Sequence, residues 1–295
     1  LEELLNVKVI TSSKKEQKAS EAPNALTVIT EEDIELSGAT SLPELLKTVA
    51  GIDVMQDASS SAKVGARGLG NLSGNRMLIM IDGRSVYYDF HGTVQWYALP
   101  VSLPEIERIE VIKGPGSALY GANAFAGVIN IITKSPEDNQ GTHIYTKVGE
   151  NMSGQSTVSY AGKAGKLYYR ANLSGDYRNK FHTNTKAAGH IHANIRMDYQ
   201  LDDSKTAIIE GGFSGGEGEF VNNGYNPLKT ISDSFIKLSY IHNNLFLNNS
   251  DLVVKGFMRN YDLSFKREGT DDLHIINNVY DLDIQHSFQI GSKSS

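Results

Sequence analysis

The second half of the chain is dominated by long runs in which apolar and polar residues alternate. Between His190 and Leu201, one set of alternate positions is apolar or aromatic and the other set is polar. An extended strand would therefore present one face to hydrocarbon and the other to water. The same alternation recurs at 166–177 and near 281–288. A soluble β-sandwich also alternates, but runs of about ten or more residues match tilted membrane strands, whereas globular strands usually have about five or six.

Roughly eight segments of this kind follow Ser135. They begin near Thr142, Gln155, Lys166, His190, Thr206, Ser234, Asp251 and Asn278. A closed barrel of about eight strands has room inside only for side chains, so it would not enclose a domain of more than about a hundred residues. We therefore expect either that the preceding domain lies outside the sheet or that strands are missing. The final QIGSKSS lacks the terminal aromatic residue of a complete outer-membrane barrel, which favours an incomplete barrel and a fragment.

The first part of the chain has a different pattern, in which short strands and short helices alternate. Ala25–Ile29 is predicted to be a strand and is followed at once by a capped helix. Ser41 then caps a second predicted helix, Leu42–Val49, whose apolar residues lie on one face. We expect these elements to form an α+β domain over residues 21–135. Residues 1–20 are expected to be a separate segment that ends in a polar linker.

The stretch from Ile106 to Lys134 joins two β-patterned runs through a glycine-rich bend. IERIEVIKG alternates apolar and polar residues, and GVINIIT is β-branched and mostly apolar, as a buried strand would be. Gly114, Pro115 and Gly116 supply the backbone angles of a tight reversal. From local chemistry alone, a simple β-turn-β connection is as good an interpretation as any specialised one.

Composition narrows the class of protein without deciding it. The chain of 295 residues has a net charge of −6, no cysteine, 28 Gly and 14 Tyr. The glycine and tyrosine content suits a β-rich fold, and the absence of cysteine removes disulfides and thiolate sites. The acidic balance and the lack of a basic arm argue against nucleic-acid binding. No run reaches the roughly 18 apolar residues of a transmembrane helix, and no signal peptide opens the chain, so an exported protein would be in its mature form.

Parts of the first domain resemble the plug domain of TonB-dependent outer-membrane receptors. The resemblance lies in Arg67-Gly68-Leu69-Gly70, in Ile81-Asp82-Gly83-Arg84 and in the stretch 106–134, in the order of that family. It implies an α+β plug domain over 21–135, followed over 136–295 by antiparallel strands of a transmembrane β-barrel in the bacterial outer membrane. Residues 1–20 would then be a TonB-box segment and linker.

The segment NVKVITSS is similar to the TonB box, the extended peptide by which these receptors bind an inner-membrane energy transducer. The matching residues are Val7, Lys8, Val9, Ile10 and Thr11. Strand addition would explain such binding, because main-chain donors and acceptors grip an exposed sheet edge without a particular side chain at every position. Without the resemblance, so short a β-prone peptide is more often an ordinary edge strand.

Two loops of the predicted plug, 70–76 and 86–97, are candidates for contact with cargo. The second is rich in aromatic side chains, whose apolar faces and polar tips suit a bulky amphipathic ligand. The candidate ligand-binding residues are Asn71, Arg76, Tyr87, Tyr88, Phe90, His91 and Trp96. Packing of the aromatic loop against the barrel wall is an equally good interpretation. The resemblance also implies that Arg67 and Arg108 pair with barrel carboxylates and so lock the plug in place.

Enzymatic and metal chemistry have weak sequence signals. Residues 212–216, GFSGG, match the G-x-S-x-G nucleophile pattern, but a nucleophile elbow requires a following helix, and none is predicted there. His190 and His192 share one face of a strand but have no third ligand within reach in the sequence. We therefore expect no enzymatic activity, no metal site and no cofactor.

The resemblance implies a TonB-dependent receptor that actively imports a scarce nutrient such as a ferric siderophore or cobalamin. Its partners would be the TonB energy transducer, outer-membrane lipid and a small-molecule nutrient or metal-chelate cargo, with no nucleic acid. The cargo stays open, because an aromatic loop suits a corrinoid and an iron chelate alike. The alternative is a cell-surface binding or adhesion protein that displays a plug-like module without transport.

Overall fold

The computed structural model describes residues 8–11, 17–18, 20, 25–68, 76–88, 92–121, 123–149, 152–180, 187–218, 228–245, 250–265 and 272–288. Val7, Asn71, Phe90 and His91, which the sequence analysis singled out, lie outside these ranges. The described residues form a plug of mixed strands and helices and a long antiparallel sheet, which we call the barrel wall.

A five-stranded sheet forms the centre of the plug, with strand order β3-β8-β9-β6-β7. β6 and β9 pair in parallel, and the other neighbours pair antiparallel. The elements up to the barrel wall are β1 (Lys8–Val9), β2 (Gln17–Lys18), β3 (Leu26–Thr30), α1 (Glu31–Leu36), α2 (Leu42–Leu46), β4 (Ile52–Ala58), β5 (Ser61–Ala66), β6 (Met77–Ile81), β7 (Arg84–Ser85), β8 (Ile106–Lys113), α3 (Ser117–Tyr120) and β9 (Gly127–Thr133).

Side-chain caps place the starts of the first two helices where the sequence predicts them. At α1, the Thr30 hydroxyl accepts from the N–H of Asp33, and the Asp33 carboxylate accepts from the N–H of Thr30 at 2.9 Å. At α2, the Ser41 hydroxyl accepts from the N–H of Glu44. The second helix ends at Leu46 rather than at the predicted Val49, because the chain tightens there into shorter-range hydrogen bonds.

The glycine-rich bend is not the tight reversal that the sequence predicted. Its flanking strands β8 and β9 do pair antiparallel, but the connection carries the short helix α3. Gly121 has a φ of +82°, a conformation that glycine adopts without strain. Gly127 starts β9 so close to β8 that an added Cβ would lie 2.4 Å from the carbonyl oxygen of Ile112. The glycines therefore serve both the bend and close strand packing.

The barrel wall is a single sheet of eight strands, paired antiparallel in chain order with β10 and β17 at its edges. The predicted number of strands is confirmed. β15 and β17 begin about five residues earlier than their alternating sequence indicated, because pairing with β16 extends beyond the alternating residues. The strands are β10 (Gly141–Val148), β11 (Gly154–Ala164), β12 (Leu167–Arg178), β13 (Ala188–Asp202), β14 (Lys205–Glu217), β15 (Leu228–His242), β16 (Ser250–Phe265) and β17 (Leu273–Phe288).

Burial on the barrel wall is inverted relative to a soluble protein. Ile191 is 60% exposed, while its neighbours His190 and His192 are each 3% exposed. Apolar side chains point away from the plug along the wall, and polar ones point toward it. A soluble β-sandwich would bury its apolar face instead, so this pattern identifies membrane-spanning barrel strands. No helix among the described residues is both long and apolar enough to cross a membrane.

The plug lies against the polar face of the barrel wall. Its own apolar core lies around the central sheet and α2, where Leu45, Leu46 and Ile109 are almost wholly buried. A second, smaller apolar cluster joins the two parts, with Tyr88 and Ala98 of the plug packed against Tyr261 and Leu263 of β16. Among the described residues, this cluster adds apolar contacts to the polar contacts between plug and wall.

Candidate functional site

Basic side chains on the inner face of the barrel wall hold the plug through its main chain. Each donates a hydrogen bond to a different plug carbonyl oxygen, and we call this set of five barrel residues the plug seat. The bonds run from Lys147 to Ala39 at 2.7 Å, from Arg178 to Thr40 at 2.8 Å, from Lys237 to Asp82 at 2.8 Å, from Arg259 to Tyr87 at 2.5 Å, and from Arg170 to Lys134.

In the part of the chain that the structure describes, no ion pair joins the plug to the barrel wall. Three members of the plug seat pair instead with carboxylates of the wall itself: Arg259 with Asp233 and Lys237 with Glu210, each at 2.5 Å, and Arg178 with Asp176 at 3.3 Å. Breaking a buried ion pair by removing one partner is costly, because it leaves an uncompensated charge. Withdrawal of the plug would leave these three pairs intact, because both partners of each pair belong to the wall.

Tyr88 makes the most enclosed contact between plug and wall. Its hydroxyl donates to the Asp233 carboxylate at 2.9 Å, and its ring lies 4.5 Å from the Tyr261 ring and 4.5 Å from the Arg259 guanidinium. Burial, together with the neighbouring Asp233 charge, raises the pKa of Tyr88 well above its ordinary value. The hydroxyl therefore stays a hydrogen-bond donor over the whole physiological pH range.

Glu105 is a plug carboxylate that the wall binds without a cation. One of its oxygens accepts from the Ser102 hydroxyl at 2.6 Å within the plug. The other accepts from the side-chain amides of Asn172, at 3.0 Å, and Asn194, which are directly opposite each other on β12 and β13. Amide donors thus satisfy a buried charge that the sequence analysis did not single out.

Residues 8–11, which we call the tether, are docked on the plug. β1 pairs with β2, and the N–H groups of Ile10 and Thr11 both donate to the Glu110 carboxylate, at 3.0 and 2.7 Å. Thr11 is fully buried, and its carbonyl oxygen accepts from the Tyr120 hydroxyl at 2.9 Å. Its own hydroxyl accepts from the Asn130 amide at 3.2 Å. Most of these bonds use main-chain groups of the tether, as the proposed strand addition would.

The two predicted lock arginines bind other plug groups in the described structure. Arg108 pairs with Glu107 and, through its Nε at 2.9 Å, with Glu110, the same carboxylate that holds the tether. Arg67 has a φ of +53° and donates from its guanidinium to the carbonyl oxygen of Lys113 at 3.0 Å. No described barrel residue bonds either arginine, and a barrel partner for them stays a prediction.

Of the candidate ligand-binding residues that the structure describes, one is exposed and three are buried. Arg76 is exposed, whereas Tyr87, Tyr88 and Trp96 are 5%, 0% and 6% exposed. The Tyr87 hydroxyl donates to the carbonyl oxygen of Met77, and Trp96 packs in the plug core. Tyr88 packs against the barrel wall, whereas Tyr87 and Trp96 pack in the plug core. A cargo contact by these three residues stays a prediction and would require them to move.

The remaining chemical candidates lie on the barrel wall. Gly212 and Ser214 of the GFSGG motif are within β14, so no nucleophile elbow forms there. His190 and His192 face the plug from β13, but no group of three His, Asp or Glu side chains among the described residues is arranged to hold a metal ion.

Comparison with known proteins assigns the plug to one family. The family model of the TonB-dependent Receptor Plug Domain matches residues 18–128, which include four strands of the central sheet and the first two residues of the fifth, β9. Residues 18–128 therefore belong to the plug domain of TonB-dependent receptors. Solved structures show the same fold in both parts: FpvA of Pseudomonas aeruginosa has a TM-score of 0.73 at 15% identity, covering 98% of this chain and 42% of that one.

Two further solved structures are similar to nearly the same extent. The siderophore receptor PirA from Acinetobacter baumannii has a TM-score of 0.70 at 18% identity, over 91% of this chain and 46% of that chain. The ferripyoverdine receptor of the outer membrane of Pseudomonas aeruginosa has a TM-score of 0.68 at 14% identity, over 92% of this chain and 40% of that one. TonB-dependent receptors are outer-membrane β-barrel proteins, which places this chain in the outer membrane.

Curated relatives also match by sequence, among them two from Vibrio species. The chain is 39% identical over 153 residues to the vitamin B12 transporter BtuB of Vibrio vulnificus (strain CMCP6), covering 51% of this chain and 24% of that protein. It is 35% identical over 143 residues to the vitamin B12 transporter BtuB of Vibrio cholerae serotype O1 (strain M66-2), covering 48% and 23%. The chain thus spans about a quarter of the length of these relatives. Both relatives are transporters.

Proposed function

We propose that the receptor containing this chain imports a scarce nutrient across the outer membrane and is powered by a TonB-type transducer that binds the tether. The observation that carries the proposal is the docking of Ile10 and Thr11 on Glu110. Two consecutive main-chain N–H groups are held there by one side chain. A transducer strand can take over such groups without requiring a particular tether sequence.

The dock offers a route for force from the tether to the plug centre. Thr11 bonds to Glu110 on β8, Asn130 on β9 and Tyr120 on α3. A pull on the tether would therefore act first on the two strands in the middle of the plug sheet. The plug seat opposes this pull with hydrogen bonds to neutral plug oxygens, so the plug can shift without breaking an ion pair between described residues of plug and wall.

The cargo class is proposed from two kinds of similarity. The sequence relatives are vitamin B12 transporters, and one of the structural neighbours is a siderophore receptor. Cobalamin and ferric siderophores therefore both remain candidates for the cargo. The sequence match covers about half of this chain, and the fold that the siderophore receptor shares with it does not decide between the two.

The test uses cells that carry the full-length gene and lack their own receptors for the candidate cargos. Labelled cobalamin and a panel of labelled ferric siderophores are assayed for surface binding and for uptake, in strains with and without the transducer. Import of one cargo that requires the transducer supports the proposal. Binding without uptake in both strains would contradict it and support the alternative of a surface-binding protein.

A further inference from the structure

A cavity of about 710 Å³ lies between the plug and the inner face of the barrel wall. β6 to β9 line it on the plug side and β13 to β17 on the wall side, and it extends to Ile10 of the tether. Its volume falls within the range of small-molecule sites. The lining is strongly charged, and Arg84 of β7 is one of the charged residues.

Arg84 is buried in this lining without a hydrogen-bond acceptor. It is 1% exposed, and neither Nη1 nor Nη2 has a partner among the described residues. The guanidinium lies 3.7 Å over the ring of Phe235, which supports a cation but accepts no conventional hydrogen bond. Burial lowers the pKa of Arg84 to about 10, against the opposing effect of Asp233, so the group is still charged at neutral pH.

The nearby carboxylates are already engaged by other donors. Asp233 accepts from Arg259 and Tyr88, and Glu210 pairs with Lys237. Asp82 accepts from the N–H of Thr133 at 2.9 Å and from the Thr133 hydroxyl at 2.8 Å. These carboxylates therefore interact electrostatically with Arg84, but its Nη1 and Nη2 hydrogen bond to none of them. A buried polar group left in this state calls for an explanation, such as a bound ion.

We propose that Arg84 marks an anion-binding subsite for a carboxylate or phosphate group. Its planar fork of N–H donors matches both groups, and the cavity has room for more than a single small anion. Two sources have this chemistry: an anionic group on the cargo as it passes the plug, and free phosphate. Only the first source rests on the proposed function.

The subsite is tested by titrating inorganic phosphate into the detergent-purified full-length receptor against a constant chloride background. We expect binding to the native receptor and at least about tenfold weaker binding to Arg84→Met, which removes a charge-assisted bidentate contact. Lys47→Met is the matched control, because it removes an exposed cation of the plug at the end of α2. The control should bind phosphate like the native receptor.

Two results would overturn the subsite. One is equal phosphate binding by the native receptor and Arg84→Met. The other is no phosphate binding to the native receptor, which would be the result if another carboxylate of the receptor already bound the Arg84 guanidinium. Should Arg84→Met fail to fold, Arg84→Lys replaces it: the retained point charge should bind phosphate, but several-fold more weakly than arginine.

A second measurement separates the two sources. Uptake of cyanocobalamin, which carries a phosphodiester, and of ferric citrate, which carries carboxylates, is compared between native receptor, Arg84→Met and Lys47→Met. Slower uptake by Arg84→Met alone, with unchanged surface binding, assigns the subsite to the cargo. Unchanged uptake with lost phosphate binding assigns it to free phosphate. Arg84-dependent phosphate binding without transducer-driven uptake of any cargo leaves the subsite standing and contradicts the proposed function.

Discussion

Tyr88 shows how a single plug side chain can be fixed to the wall without an ion pair of its own. Its hydroxyl adds a further donor to an Asp233 carboxylate that Arg259 already holds, and its ring packs beside Tyr261. The carboxylate keeps its cation whether or not the plug is present. The Tyr88 hydroxyl therefore helps to attach the plug to the wall, but the charge balance of the wall does not depend on this hydroxyl.

We expect Tyr88→Phe to destabilise the seated plug by about 1.5–3 kcal/mol, the usual contribution of a hydrogen bond to a charged group. The ring and its aromatic contact are retained, so the loss isolates the hydroxyl. Thermal unfolding of the purified full-length receptor measures it. Tyr177→Phe, a change at a 49% exposed position on the same wall, is the control. Equal unfolding of the two variants would show that the Asp233 bond adds nothing to plug attachment.

The tether dock is the element that holds residues 8–11 on the plug. The sequence predicted an extended peptide, and the structure pairs β1 with β2 and bonds the next two N–H groups to Glu110. Arg108 shares that carboxylate, so tether and predicted lock residue meet at one side chain. A change at Glu110 should therefore alter the tether while leaving the main-chain groups of Ile10 and Thr11 in place.

In Glu110→Ala, the amides of Ile10 and Thr11 should exchange with solvent about 10–100-fold faster, since about 1.5–3 kcal/mol of protection per charge-assisted bond is lost. Hydrogen exchange read by mass spectrometry on the tether peptide measures this. Glu107→Ala is the matched control, because Glu107 also pairs with Arg108 but does not contact the tether N–H groups. Unchanged exchange in Glu110→Ala would contradict the dock.

Elements with strong local signals could be predicted from the sequence, and those without them could not. The caps at Thr30 and Ser41 and the alternation of β13 each specify an element through neighbouring residues. Helix α3 has four residues and no side-chain cap, so local sequence hardly distinguishes it from a turn. β15 extends beyond its alternating residues because β16 supplies pairing partners, which is information that lies elsewhere in the chain.

At the scale of the whole molecule, the inverted wall makes a prediction about membrane assembly. Ile195 lies near the middle of β13 and is 46% exposed on the outward face, and Leu201 lies near the end of the same face at 43%. Ile195→Arg should cost about 2–4 kcal/mol in a bilayer, and Leu201→Arg about 0–1 kcal/mol. Urea titration of the full-length receptor folded into lipid vesicles compares them. Equal losses would contradict a membrane-facing surface.

The attachment of plug to wall was the part least accessible from sequence. Inward positions such as Asp233, Lys237 and Arg259 follow from strand alternation, but the carbonyl oxygens that the plug seat binds have no sequence signature. Tyr88 and Asp233 are separated by 145 positions, and local patterns carry no signal at that distance. The resemblance implied arginine–carboxylate locks, whereas the described contacts use barrel cations on plug carbonyl oxygens.

The most direct test of transducer-driven import compares Ile10→Pro with Glu110→Ala in cells that carry the full-length receptor. Proline removes an N–H that strand addition needs, whereas Glu110→Ala frees the tether and leaves that N–H in place. Surface binding and uptake of the identified cargo are measured together. We predict that both variants bind cargo, that Glu110→Ala still imports it, and that Ile10→Pro does not. Full uptake by Ile10→Pro would contradict the account.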